Sequence, residues 1–186
     1  MPITERQLRL WIGEHVHWSR YFPYWLLQIY RAGIAAGHSS QQLEPLMAQL
    51  SQELGEGHPE MLMRTLPDLP IFTAPSPRVG NMMEYVEYYG DNFDTSILLL
   101  AENERFAAQL WQILLREAAH IEGFDPAFIE RHLELDEGEH ANGVEQLTAL
   151  VDDNRVVDGT KEQFRTLRLA HLRHHFGDQV DTWFTP

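Results

Sequence analysis

"FDTSILLLAENERFAAQLWQILLREAAHIEG", residues 93–123, decides the fold. Its period is helical, and apolar residues occupy almost every face. A helix that is apolar all round must be enclosed by other elements. The stretch therefore predicts a buried central helix over residues 93–121, with the rest of the chain packed around it. Two glutamates stand inside this run. Glu104 shares its face with Ile97, Ala101, Ala108, Trp111 and Leu115, whereas Glu102 lies on a flanking face with Leu98 and Arg105. A carboxylate among such neighbours needs a partner, and Glu104 is the preferred candidate.

Outward from this helix, the chain reads as helix almost everywhere, with no strand alternation. Residues 4–20 are amphipathic through Leu8, Trp11, Ile12 and Val16. Pro23 sits where a first turn tolerates proline, so a second helix is predicted to open there and run through "YWLLQIYRAGIAAG" to its glycine stop. "SSQQLEPLMAQLSQEL" follows with a capping-box pattern at Ser39 and Gln42. "HPEMLMRTL" and "NMMEYVEYY" are short helices on either side of the proline-rich "PDLPIFTAPSPRVG", an irregular connection. "FDPAFIERHLELDEGEHANGVEQLTALV" opens with Asp125 as N-cap and Pro126 at the first helical position, and residues 160–184 form the last helix. The segments flanking the proline-rich stretch are too short for separate cores. Residues 1–186 are therefore read as one all-α domain, a bundle of about seven helices.

Composition narrows the function. The chain has no cysteine, which excludes disulfides, thiolate metal sites and thiol nucleophiles and fits a cytoplasmic location. A net charge of −14 argues against nucleic acid as a partner. No apolar run has membrane-span length, and "MPITERQLRL" lacks the apolar core of a signal peptide. With ten histidines and many carboxylates, any bound metal would have imidazole and carboxylate ligands, a set suited to iron, manganese or zinc.

"RHLELDEGEH", residues 131–140, places His132, Asp136 and His140 at i, i+4 and i+8. On one continuous helix they line a single face, beside Phe128, Leu135, Gly143 and Leu147. Two imidazoles and a carboxylate beside an apolar strip call for a cation. "QELGEGHPEML" adds Glu53, Glu56 and His58 at a helix junction. Helix rise tests which residues can meet. From a turn near Gly123, His140 and Glu104 lie roughly 25 and 28 Å along their helices, whereas His120 lies only about 5 Å away. Glu104 and His140 come level. The Glu-x-x-His matches Glu117–His120 and Glu137–His140, which would suit a ferritin-like diiron bundle, cannot face each other.

In order, these three segments resemble the heme-oxygenase-like diiron oxidases and oxygenases. "QELGEGHPEMLMRTL" is similar to the family's glutamate followed by an HPEL-like stretch, "AENERFAAQLW" to its middle helix, and "FIERHLELDEGEHANG" to its third metal-binding helix. Many members place the last histidine three residues after the aspartate. Here that position is Glu139 and His140 comes fourth, which leaves Asp136 and Glu139 as alternatives, as Glu53 and Glu56 are in the first motif. The resemblance covers residues 53–140. It implies a heme-oxygenase-like helical bundle holding two Fe(II) ions, with manganese as the alternative metal, through Glu53 or Glu56, His58, Glu104, His132, Asp136 and His140. It also implies reductive activation of O₂ and oxidation of a small organic substrate by N-oxygenation, desaturation or C–C cleavage. An electron donor is an implied partner, and the aromatic-rich N-terminal helices are compatible with a homodimer. Trp18, Tyr24, Trp25 and Tyr88 are candidate pocket aromatics. Two other readings are a heme protein with His15 or His17 as proximal ligand and a non-catalytic helical binding protein with a degenerate site. "HLRHH" (His171, His174, His175) reads as a mostly solvated face.

Overall fold

The computed structural model describes residues 2–70 and 72–184, apart from the side chains of Asp136, Glu137 and Glu139. Asn92 opens the central helix, its side chain accepting the N–H of Thr95, and α5 runs Phe93–Ala118 with most of its residues buried. Around it lie α1 (Glu5–Ala35), α2 (Glu44–Glu56), α3 (His58–Arg64), α4 (Pro77–Tyr88), α6 (Ala127–Glu137), α7 (Glu139–Thr148), α8 (Thr160–Phe176) and the single turn α9 (Val180–Trp183). α5 packs against α1, α6, α7 and α8, and α1 also touches α2, α3 and α4. The described residues contain no strand, and no helix among them is long and apolar enough to cross a membrane. The chain is a single all-α domain.

Several boundaries differ from the sequence reading: α4 begins at Pro77, inside the stretch read as irregular, α5 ends at Ala118 rather than at 121, and Pro126 rather than Asp125 is the N-cap of α6. α1 is one helix of 31 residues with Pro23 inside it. An interior proline removes a backbone hydrogen bond and disfavours helix. Here the two halves share one buried stripe, from Leu8, Trp11 and Ile12 through Phe22 to Trp25, Leu26 and Ile29, and that burial outweighs the local penalty. The predicted single helix over residues 124–151 breaks at Gly138 (φ −119°, ψ −98°), which ends α6 and begins α7. The last helix stops at Gly177, whose φ of +70° suits glycine. The capping box at Ser39 and Gln42 forms, with Ser39 Oγ accepting the Gln42 N–H at 3.2 Å, one turn ahead of α2 proper.

Two apolar clusters are threaded by the same two helices. One gathers Leu8, Trp11 and Ile12 of α1 with Phe106, Leu110 and Leu114 of α5. The other gathers Trp25, Leu26 and Ile29 with Ile97 and Leu100. Where they meet, α5 carries Asn103 and Glu104, and α1 carries His15 and Ser19. A polar layer thus divides the core.

The second cluster is tight at Gly33. A Cβ there would stand 2.8 Å from Leu43 Cδ1 and 2.9 Å from Phe93 Cε2. Gly33→Ala should therefore lower stability to urea by about 1–2 kcal/mol, overpacking outweighing the better helix propensity of alanine. A variant at least as stable as the parent would refute this packing.

Candidate metal centre

Glu53 lies in the last turn of α2 and His58 opens α3, and both are buried. Gly57 joins the helices in the left-handed conformation (φ 65°, ψ 47°), which a side chain resists. That turn folds His58 Nδ1 back to 2.8 Å from Glu53 Oε2. The two atoms are close but out of line for a hydrogen bond. Burial alone would lower the His58 pKa, but the carboxylates of Glu53 and Glu56 outweigh it and hold the imidazole above its ordinary value.

His132 reaches the same point from α6. Its ring lies 4.4 Å from that of His58, centroid to centroid. Its Nδ1 is 2.9 Å from the Phe128 carbonyl, so Nδ1–H donates and Nε2 keeps its lone pair. Burial first, and then neighbouring His58, push its pKa down to about 3, so the ring is neutral at pH 7. Ligand atoms of Glu53, His58 and His132 lie within 4.8 Å of one another.

A second group adjoins them. Glu104 Oε1 accepts from Gln49 Nε2 and Asn103 Nδ2, each at 3.2 Å, while Oε2 stands 3.7 Å from His140 Nδ1. Burial pushes the Glu104 carboxyl up, but His140, Asn103 and Gln49 together hold it below its usual range. His140 Nε2 lies 2.9 Å from Gln52 Oε1, an arrangement in which Nε2–H donates and Nδ1 faces Glu104. Glu53, Glu104, His132 and His140 all line one cavity of about 50 Å³.

The structure brings Glu53, His58, His132, Glu104 and His140 together and excludes others. Glu56 Oε2 comes within 3.4 Å of His58 Nε2, but its main partner is Arg131, outside the cavity. Arg131 binds it with two nitrogens, Nη2 at 2.6 Å and Nε at 2.9 Å, and this pair holds the Glu56 carboxyl down at about 2. Of the two candidates in the first motif, Glu53 is the one inside. Glu102 pairs with Arg105 and Arg165, away from the cavity. His120 is exposed. The side chains of Asp136 and Glu139, the alternatives in the third motif, lie outside the described residues. Because the helix breaks at Gly138, His132 and His140 do not share one helical face. They approach from two helices that both pack on α5.

Of the predicted pocket aromatics only Trp18 lines the cavity. Trp25 is core, and Tyr24 and Tyr88 are exposed at 49% and 81%. The walls are instead His15, Phe22, Trp111 and Phe128, with Arg168 as the one cation. Arg168 donates to Asn103 Oδ1 and lies over the Phe106 ring, 4.5 Å from its centroid. Burial lowers its pKa to about 10. Gln49 and Gln52 also escaped the sequence reading, although Gln49 shares a helical face with the buried Leu46, Leu50 and Glu53 of α2 and Gln52 flanks it. His15 is stacked on Trp11 with centroids 4.6 Å apart. The cavity beside it has space for a few waters, far short of a porphyrin.

The donor set fits a metal. The carboxylates of Glu53 and Glu104 and the imidazoles of His58, His132 and His140 meet in one largely buried layer, a nitrogen and oxygen donor set suited to a divalent transition metal. No family model matches this chain, and no curated protein matches it significantly.

Proposed function

We propose that this protein is a non-heme diiron oxidase or oxygenase of the heme-oxygenase-like kind, oxidising a small organic substrate with O₂. The observation that carries the reading is the convergence of Glu53 and His132, backed by His58, with Glu104 and His140 on one small cavity. In this reading Glu53, His58 and His132 hold one Fe(II) and Glu104 and His140 the other, with Asp136 added from the motif. Bound ferrous ions would supply the reductive activation of O₂. The chain's own groups do the rest. The Phe128 carbonyl and Gln52 fix the tautomers of His132 and His140, and Gln49 and Asn103 hold Glu104 in place. Trp18, Phe22, Trp111 and Phe128 give the cavity apolar walls. A surface groove between α2 and α7, lined by Pro45, Gln52 and Gly143, reaches His140 and offers a route for substrate.

The test is anaerobic titration with Fe(II), followed by O₂. The expected result is about two irons bound at the cavity and O₂ consumed with ferrous oxidation faster than for free iron. Protein that takes up no iron at the cavity would instead be a binding module with a degenerate site.

A further inference from the structure

Glu14, His171 and His175 form another cluster between α1 and α8, outside the polar cavity. The sequence reading left "HLRHH" as a solvated face. Of its three histidines only His174 is exposed, while His171 and His175 are buried. They stand one turn apart on α8 and face Glu14 from the same side. Glu14 Oε2 accepts from Ser76 Oγ at 2.7 Å, and Ser76 is itself the N-cap of α4, so the carboxylate is held in place. The same oxygen lies 3.2 Å from His175 Nε2 and 3.6 Å from His171 Nδ1.

His171 is the decisive residue. Its side chain is 3% exposed, yet neither ring nitrogen has a hydrogen-bond partner among the described residues. A neutral imidazole always carries one N–H, and burying it unmatched is unfavourable. A separation of 3.6 Å is too long for a hydrogen bond. It is close to the spacing of two ligands on one tetrahedral ion, about 3.3–3.4 Å when metal–ligand bonds are about 2.0–2.1 Å. Burial, followed by neighbouring His175, lowers the His171 pKa to about 3, which leaves a lone pair available at neutral pH. Access exists too. Glu14 and His175 border a surface depression with Arg6, Gln7, Leu10 and Phe72.

We propose that Glu14, His171 and His175 form a mononuclear site for a zinc-class divalent transition metal, which clamps α8 to α1. Two imidazoles and one carboxylate make a three-ligand set whose fourth position opens toward the depression and takes water. The site is independent of the diiron reading, sharing none of its ligands.

Zinc alone is the probe. The parent for the titration is the full chain with His58→Ala and His132→Ala, which disables one group of the cavity, and with Glu104→Gln, which disables the other. That parent, shown folded by circular dichroism, should bind about one zinc per chain. Adding His175→Ala, or separately Glu14→Gln, should weaken that binding at least about 100-fold. Unchanged zinc affinity in both variants, or no zinc bound by the parent, overturns the proposal. If the combined variants do not fold, zinc-edge anomalous scattering from crystals of the unaltered chain decides. A peak within bonding distance of Glu14 and His171 supports the site, and peaks confined to the cavity overturn it.

Discussion

His132→Ala should leave the helical fold intact and remove most of the stabilisation that Fe(II) confers through its group. The ring is held by Phe128, with its carbonyl on Nδ1 and its own ring 4.0 Å away, and among the described residues it makes no ion pair. Losing it without metal should cost only about 1 kcal/mol, an ordinary loss of packing. With iron present the difference widens. A ligand that binds only the native state at about 100 times its Kd adds about 2.7 kcal/mol. In a domain of this size that raises Tm by roughly 5–10 °C. The unaltered chain should show this increment in anaerobic thermal melts with and without Fe(II), and His132→Ala should lose it. His120→Ala is the control, since that histidine is exposed in the turn just beyond the central helix, and it should melt like the parent in both conditions. An equal Fe(II) increment in His132→Ala would remove this residue from the metal centre.

The central helix was legible because burial on every face leaves a direct imprint on composition. A carboxylate in such a run also announces itself, and of the two present Glu104 lines the cavity while Glu102, the more buried, pairs with arginines. Helix rise put Glu104 level with His140, and the two side chains stand 3.7 Å apart. What the pattern could not show was partnership between distant segments. Arg131 and Glu56 are 75 residues apart, and nothing local distinguishes Glu56 from Glu53 until Arg131 claims it. The burial of His171 and His175 was hidden in the same way. Arginines flank them in sequence, but on α8 Arg173 turns outward to Asp181 while Arg168 turns inward over Phe106. Pro23 and Gly138 misled in opposite directions. Proline signalled a break that shared burial overrode, and the periodicity of "RHLELDEGEH" signalled continuity that ends at Gly138. Local propensity is a weak term, and it yields when a whole face has somewhere to pack.

The polar layer should oppose stability, and a second exchange tests that directly. Glu53 and His58 are 6% and 0% exposed, and desolvating a charged pair there offsets much of its attraction. Replacing both by apolar residues of similar size, Glu53→Met with His58→Leu, should therefore raise the urea stability of the metal-free protein by about 1–4 kcal/mol. Glu53→Met alone should do the reverse, lowering stability by about 2 kcal/mol, because it strands a buried imidazole whose Nδ1 has lost its carboxylate. The double variant should gain nothing from Fe(II) through this group. The sign is the informative part. A pair retained for folding should leave the double variant weaker than the parent, with each single change costing less than the two together. A pair retained for a cation should show stability rising as the ligands disappear, because the layer is then matched to an ion rather than to itself. Loss of stability in the double variant, measured without metal, would mark Glu53 and His58 as a structural clasp.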